Sequence, residues 1–350
     1  MRRRSLVVLS ILVGAGLLGG ILYYIGPERV WEQIVRLGVW GYLSLVAIAI
    51  LTMVCWTSSW WVILRAYGVR VSWWTTWWAR LSGFAITYLT PSMYFGGEPA
   101  SVFLIVKEQE GAHRATRVVA TLLVAKLLEG LSLLAFVYLG FYYAAATKLL
   151  PLDDMGVMIV GNLIFALFVA LAAINFMGGR LWLTRLLGWL KRHLPWKHAL
   201  GVAEAKMREV EEDVHNAFQE HQRATWTAFL LTLLATFLLY LRPQVFFLFA
   251  LRAFMPISHL SIAYALFVLL GVFFWLTPGG MGVLEGGMVG IFSVVSVLSL
   301  KDHQWLPIPY ESAVAFALTL KSIEFPLVGL GLFYLIRVGF LKVPKPPLRR

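Results

Sequence analysis

The sequence predicts an all-α, polytopic integral membrane protein of about six full spans, with two re-entrant helical hairpins that enter from opposite sides as an inverted repeat. Three observations predict it. Hydrophobic residues make up 60% of the 350, and the mean hydropathy is +0.77. Charged residues make up 14%, against about 25% in an ordinary soluble domain. Two apolar stretches are broken by the same combination of proline, paired glycines and a glutamate: Thr90 to Pro99, reading Thr-Pro-Ser-Met-Tyr-Phe-Gly-Gly-Glu-Pro, and Pro278 to Gly287, reading Pro-Gly-Gly-Met-Gly-Val-Leu-Glu-Gly-Gly. The whole chain, 1–350, is expected to form a single membrane domain.

Taken in order, Arg2, Arg3 and Arg4 precede an apolar run from Leu6 to Ile25. No small-x-small cleavage site ends it, so the run is expected as a retained first span, Ser5 to Ile25, with a cytoplasmic N-terminus. Pro27 opens an amphipathic helix with Val30, Trp31, Ile34 and Val35 on one stripe, suited to the outer membrane surface or to a structured loop. Span 2, Val39 to Leu64, is followed by Arg65, Arg70 and Arg80, which places that end inside. Trp56, Trp60, Trp61, Trp73, Trp74, Trp77 and Trp78 crowd the same region, as an interfacial belt would require. The first broken hairpin covers 76–106, entering and returning from the cytoplasm. Span 3, Val118 to Ala146, leads out through a short outer loop to span 4, Met155 to Met177, which returns.

Residues 178–225 form the one extended polar stretch. Arg180 to Leu194 mixes tryptophan, leucine and basic residues and suits the inner membrane surface. Ala203 to His221 places Met207, Val210, Val214 and Phe218 on one stripe, an amphipathic helix on the cytoplasmic face. The histidines here have no metal-ligand spacing. Span 5 begins near Trp226 and is interrupted at Arg242-Pro243, where the helix ends or kinks. Arg242 suits snorkelling to outer headgroups better than holding a lipid phosphate. The second broken hairpin covers 260–300 and enters from outside. Span 6, Ser312 to Ile336, returns to a basic, cytoplasmic C-terminus. Six spans thus join two cytoplasmic termini in a cell membrane, the inner or plasma membrane.

The formal charge of +12 sits at the termini and in the inner loops. That pattern orients the chain and favours anionic lipid surfaces rather than nucleic acid. Cys55 is the only cysteine, which excludes an intrachain disulfide and a cysteine metal cluster. No cofactor and no metal are implied.

The two breaks carry the chemistry. A helix cannot run smoothly through Pro-Gly-Gly. Broken backbone at membrane depth is tolerated only beside protein or a watery cavity, and an acid there is a functional candidate by default. Each break is followed, on a later span, by Lys-x-x-Glu: Lys126 and Glu129 after the first, Lys321 and Glu324 after the second. Paired interrupted segments in corresponding positions point to a transporter's binding site. The candidate substrate-binding residues are therefore Gly96, Gly97, Glu98, Lys126 and Glu129 in the first half, and Pro278, Gly279, Gly280, Gly282, Glu285, Lys321 and Glu324 in the second. Free N–H groups at the helix starts would hold a phosphate, and the lysines would add charge. The carboxylates would pair with the lysines, meet a cationic headgroup or take up protons. The plainer reading is that each glutamate caps a broken helix and each lysine neutralises an acid, without transport.

Phe95-Gly96-Gly97-Glu98 before a helix, and Pro278-Gly279-Gly280-Met281-Gly282-Val283-Leu284-Glu285 late in the chain, resemble the lysylphosphatidylglycerol synthase transmembrane-region family, which includes the flippase half of the multiple-peptide-resistance-factor proteins. The resemblance covers nearly the whole chain. That family typically has an arginine-and-acid pattern on the span after the first break. Here the place reads Ala125-Lys126-Leu127-Leu128-Glu129, which keeps one base and one acid. The synthases of the family carry a large soluble C-terminal domain. This chain ends shortly after span 6, so catalysis is not expected; the resemblance implies a stand-alone member that moves a lipid between leaflets.

The expected substrate is a phospholipid or lipid-linked group with an anionic or zwitterionic headgroup, carried through a midplane polar cavity where the two tips meet. Two other classes stay open. A polytopic glycosyltransferase or lipid-modifying enzyme using a polyprenyl-phosphate donor would need outer acids, for which Glu28, Glu32, Asp153 and Asp154 are the candidates. A membrane scaffold would use Ala203 to His221 for docking. No P-loop, His-Glu-x-x-His or Gly-x-Ser-x-Gly supports ATP-driven pumping or hydrolysis by those routes.

Overall fold

The computed structural model describes residues 2–90, 96–109, 114–146, 181–193, 197–271, 277–302 and 307–339, with single positions between 160 and 174. Every regular element among them is helical. α1 spans Arg2–Ile25 and α2 Pro27–Ala66. They are separated by Gly26 at φ 97°, and Pro27 occupies the first turn of α2, where its missing N–H costs nothing. α3 covers Trp73–Leu89, α4 Glu98–Lys107 and α5 Arg114–Ala146. The polar stretch forms α6, Trp182–His193, and α7, Lys197–Gln219. α8 is Gln222–Ala250 and α9 Ile257–Leu270. A 3₁₀ turn at Pro278–Gly280 precedes α10, Val283–Asp302, and α11, Tyr310–Arg337.

Among the described residues, four helices are long and apolar enough to cross a membrane: Pro27–Ala66, Ala115–Tyr143, Gln222–Ala250 and Tyr310–Arg337. They coincide with the expected spans 2, 3, 5 and 6. The first span is represented by a shorter apolar segment, Ser10–Ile25. Span 4, Asp153 and Asp154, and the tip Pro91 to Phe95 lie largely or wholly outside the described residues.

Three expectations take a definite form. The amphipathic segment at Pro27 is not separate from span 2; both belong to one helical run, kinked at Gly38 (φ 66°, ψ 172°). Its buried side is Val30, Gln33 and Leu37, while Trp31 and Val35 point outward. Of the two outcomes open at Arg242-Pro243, the helix continues: α8 runs through Pro243 to Ala250. The stripe on α7 faces protein rather than lipid: Val210 and Val214 are buried in one cluster with Val118 and Leu122 of α5 and Trp60 of α2. α6 is held on α7 by Glu211, whose Oε2 accepts from the Thr184 amide at 3.0 Å and hydroxyl at 2.6 Å.

Two cores organise the bundle, one around Phe246, Phe247, Phe292 and Phe316, the other around Trp60, Ile105 and Leu122. The antiparallel pair α2 and α8 runs through both. Ser59 fixes its register by donating to the Ala228 carbonyl at 3.0 Å and lying 2.8 Å from the Thr232 hydroxyl. Two further pairs join helices far apart in sequence. α3 packs on α11, where a Cβ on Gly331 would strike the Leu81 carbonyl and Ala85. α9 packs on α5, where a Cβ on Gly140 would strike the Ser261 carbonyl and Ala265. Close backbone approach at small residues is how helices associate without a hydrophobic driving force between them.

Candidate functional site

The second break owes its shape to three glycines. Gly279, Gly280 and Gly282 have φ of 60°, 62° and 77°, a region that costs other residues roughly 1–2 kcal/mol. The Thr277 hydroxyl donates to the Met281 carbonyl at 2.8 Å and closes the turn. α10 then begins at Val283, and Glu285 in its first turn reaches back, its Oε2 accepting from the Gly282 amide at 2.7 Å. This is the glutamate half of a capping box. The other oxygen, Oε1, lies 2.6 Å from Lys321 Nζ on α11, a contact that is ionic rather than well-angled hydrogen bonding. Glu285 is fully buried and the Lys321 side chain only 6% exposed. Glu324, one turn further along α11, does not join them. It pairs instead with Arg242 of α8 at 3.8 Å.

The first half is built from the same residue types differently. Gly97 caps α4, and its amide donates to the Thr87 hydroxyl of α3 at 2.9 Å. Gly97 and Gly83 lie backbone against backbone, so a Cβ on Gly97 would collide with the Gly83 carbonyl. Gly96 stands half-buried before them. Glu98 and Pro99 start α4, and Glu98 points to α5. Lys126 Nζ lies 3.2 Å from Glu98 Oε1 and 2.9 Å from Glu129 Oε2. The remaining oxygen of Glu129 accepts from the Arg80 guanidinium of α3. Arg80 also lies with its guanidinium carbon 5.9 Å from the centre of the Trp60 ring. Lys126 is 30% exposed and Glu98 18%, with Glu98 Oε2 buried and unpartnered.

The described candidate residues thus gather beside the two breaks. Each group has two glutamates, one lysine and one arginine, linked into one network beside the first break and split into two separate pairs beside the second. The end of α3 links them: the Tyr88 ring touches Gly279 so closely that a Cβ there would overlap it. Tyr88 also packs edge-on against Phe325 and stands within electrostatic reach of Glu285 and Glu324. Arg80 and Tyr88 are eight residues apart on α3, so the clusters are offset by ~12 Å along that helix.

Arg80 and Arg242 are the participants that sequence reasoning misplaced. The sequence groups Arg80 with the inner charges that follow span 2, whereas the structure turns it to Glu129 of α5. Arg242 does not snorkel; at 15% exposure it turns inward to Glu324. Its position in the middle of an apolar run, beside a proline, was the available signal.

Comparison with known proteins agrees in kind. The family described as the lysylphosphatidylglycerol synthase TM region matches residues 7–331. A UPF0104 membrane protein from Pyrococcus horikoshii is 23% identical over 307 residues, covering 83% of this chain and 87% of that protein. A UPF0104 membrane protein from Methanothermobacter thermautotrophicus is 23% identical over 308 residues, covering 82% and 85%. No solved structure matches the chain.

Proposed function

The chain belongs to the lysylphosphatidylglycerol synthase transmembrane-region family, and from that premise we propose that it moves an amphiphilic lipid, a phospholipid or lipid-linked headgroup, between leaflets without modifying it. The observation that carries this reading is the charge-balanced cluster at Glu98, Lys126, Glu129 and Arg80, placed beside a broken helix and partly open. A lipid phosphate reaching Lys126 would replace Glu98 as its partner, while the first amides of α4 offer further donors. Arg80 keeps Glu129 neutralised during the exchange. Glu98 then loses its counter-ion, so the exchange requires it to take up a proton or to meet a cationic group of the headgroup.

The short arms support re-entrant hairpins. α4 has 10 residues and α9 has 14, or ~15 and ~21 Å, less than the ~30 Å of a bilayer's hydrocarbon core. The packing of α3 on α11 and α9 on α5 is what two inverted halves would give, and rocking of one half on the other would then alternate access. On this reading both termini face the cytoplasm.

The test is headgroup translocation in proteoliposomes, scanning fluorescent phospholipids and polyprenyl-linked lipids. Wild type should translocate at least one class, and Lys126→Met with a normal detergent elution profile should lose most of that activity. A Lys126→Met variant that translocates at the wild-type rate would refute the reading.

A further inference from the structure

A cavity of about 360 Å³ opens at the basic end of α2, where the chain turns toward α3. Arg65, Gly68, Val69 and Arg70 line it. The turn is held in shape from several sides. Gly68 takes φ 71°, and the Val69 amide donates back to the Leu64 carbonyl at 2.9 Å. The Gln109 side chain, just past α4, donates to the Arg70 carbonyl at 2.9 Å. The Trp61 indole donates to the Val71 carbonyl at 3.1 Å, and the Arg65 guanidinium carbon lies 5.6 Å from the centre of that same ring. A guanidinium held against a ring keeps its N–H groups for a second partner. Among the described residues no carboxylate pairs with Arg65 or Arg70. Glu108, the acid next to Gln109, accepts instead from the Thr75 hydroxyl at 3.3 Å.

We infer that this cavity binds the phosphate of an anionic phospholipid in the surrounding leaflet. Charge selects the phosphate: two guanidinium groups converge on one space with no acid to neutralise them, and guanidinium is suited to paired hydrogen bonds with phosphate oxygens. The same charge selects an anionic over a zwitterionic headgroup, whose ammonium would stand against two cations. Depth selects a lipid as the source. The Trp73 indole donates to the Ser58 hydroxyl at 3.1 Å, which brings the start of α3 level with this end of α2. Trp73 stacks on Trp77 at 5.4 Å and meets Trp74 edge-on at 4.9 Å, with Trp74 exposed. Indoles gather at the headgroup level of a bilayer, so Arg65 and Arg70 stand where lipid phosphates are. Basic pockets between membrane helices at that level recognise anionic headgroups. Gly68 leaves room for one, since a Cβ there would meet nothing within 4 Å. This site shares no residue with the clusters beside the breaks and does not depend on the translocation reading.

The experiment titrates the full chain in detergent with dioctanoyl-phosphatidylglycerol, dioctanoyl-phosphatidylcholine or inorganic phosphate and counts retained molecules by native mass spectrometry. Wild type should retain phosphatidylglycerol at about tenfold lower concentration than phosphatidylcholine. Arg65→Gln with Arg70→Gln, checked for an unchanged elution profile, should abolish that preference. Each single substitution should lower it several-fold, so the result does not hang on the double variant folding. Arg65→Lys with Arg70→Lys keeps both charges and should keep most of the preference. Arg185→Gln with Arg192→Gln makes the same change of charge on the exposed face of α6 and should leave the preference intact. Equal retention of the two lipids by wild type would overturn the inference. So would a preference that survives the glutamine pair, or one that falls equally with the α6 pair. Inorganic phosphate displacing phosphatidylglycerol at equal concentration would overturn the lipid as occupant in favour of a soluble anion.

Discussion

Lys321→Met should destabilise the protein far more than Lys126→Met, although both remove a lysine paired with a glutamate at a helix break. Lys321 Nζ and Glu285 Oε1 are 2.6 Å apart, with side-chain exposures of 6% and 0%. Removing one partner of a buried pair leaves the other charge uncompensated and costs about 3–5 kcal/mol. At 2–4 °C per kcal/mol for larger domains, the expected fall in melting temperature is about 6–12 °C for a cost near 3 kcal/mol. Lys126 is 30% exposed, and its removal leaves Glu129 still paired with Arg80 while Glu98, 18% exposed, loses its counter-ion; with solvent closer to hand its loss should cost less than that of Lys321. The double variant Lys321→Met with Glu285→Gln removes both charges and keeps an oxygen for the Gly282 amide, so it should recover most of the loss. The assay is the fraction of monodisperse protein surviving a heating series in detergent. Equal destabilisation by Lys321→Met and Lys126→Met, or a double variant no better than the single, would refute the assignment of the second cluster as a locked pair.

Gly279→Ala should lower stability by about 1–2 kcal/mol from its positive φ alone, and further through the Tyr88 ring; Tyr88→Ala should restore the second part only, as a double-mutant cycle on melting temperature will show. Gly97→Ala should abolish well-folded protein, because its Cβ would meet the Gly83 backbone, which cannot move aside as a side chain can; a normal elution profile would contradict this close crossing. Glu211→Ala should free the Thr184 amide and hydroxyl, costing about 1–3 kcal/mol locally, and accelerate limited proteolysis within α6 with little change in the melting of the bundle.

The four long apolar helices and the second break were legible because they depend on local properties. Twenty or more apolar residues read as a membrane helix whatever surrounds them, and Pro-Gly-Gly-x-Gly reads as bent backbone because Gly279, Gly280 and Gly282 occupy left-handed conformations. Partner choice was not legible. Lys126-x-x-Glu129 and Lys321-x-x-Glu324 have the same spacing, yet only the first closes on itself, at 2.9 Å. In α11 Glu285 captures the lysine and Arg242 the glutamate, and those partners come from helices far off in sequence. The stripe on α7 was found by periodicity, but periodicity does not distinguish a surface that meets lipid from one that meets α5.

The difference between the halves bears on how a carrier built from them would work. Both of these crossings use a glycine of a long helix against the backbone of a shorter one, Gly331 on Leu81 and Gly140 on Ser261. Such contacts are short-ranged, so a small slide forfeits them. The ion clusters are not equivalent in the same way. The first leaves Lys126 partly exposed and one oxygen of Glu98 unpartnered, whereas the second seals Lys321 and Glu285 from solvent. On the proposed reading, then, an open headgroup site coexists with a closed one, and Tyr88, which leaves the arm of the first hairpin to touch Gly279 of the second break, is placed to transmit the exchange. Release of Lys321 from Glu285 would have to accompany any opening of the second site. On that reading, its short, buried pairing sets the threshold that substrate would have to overcome.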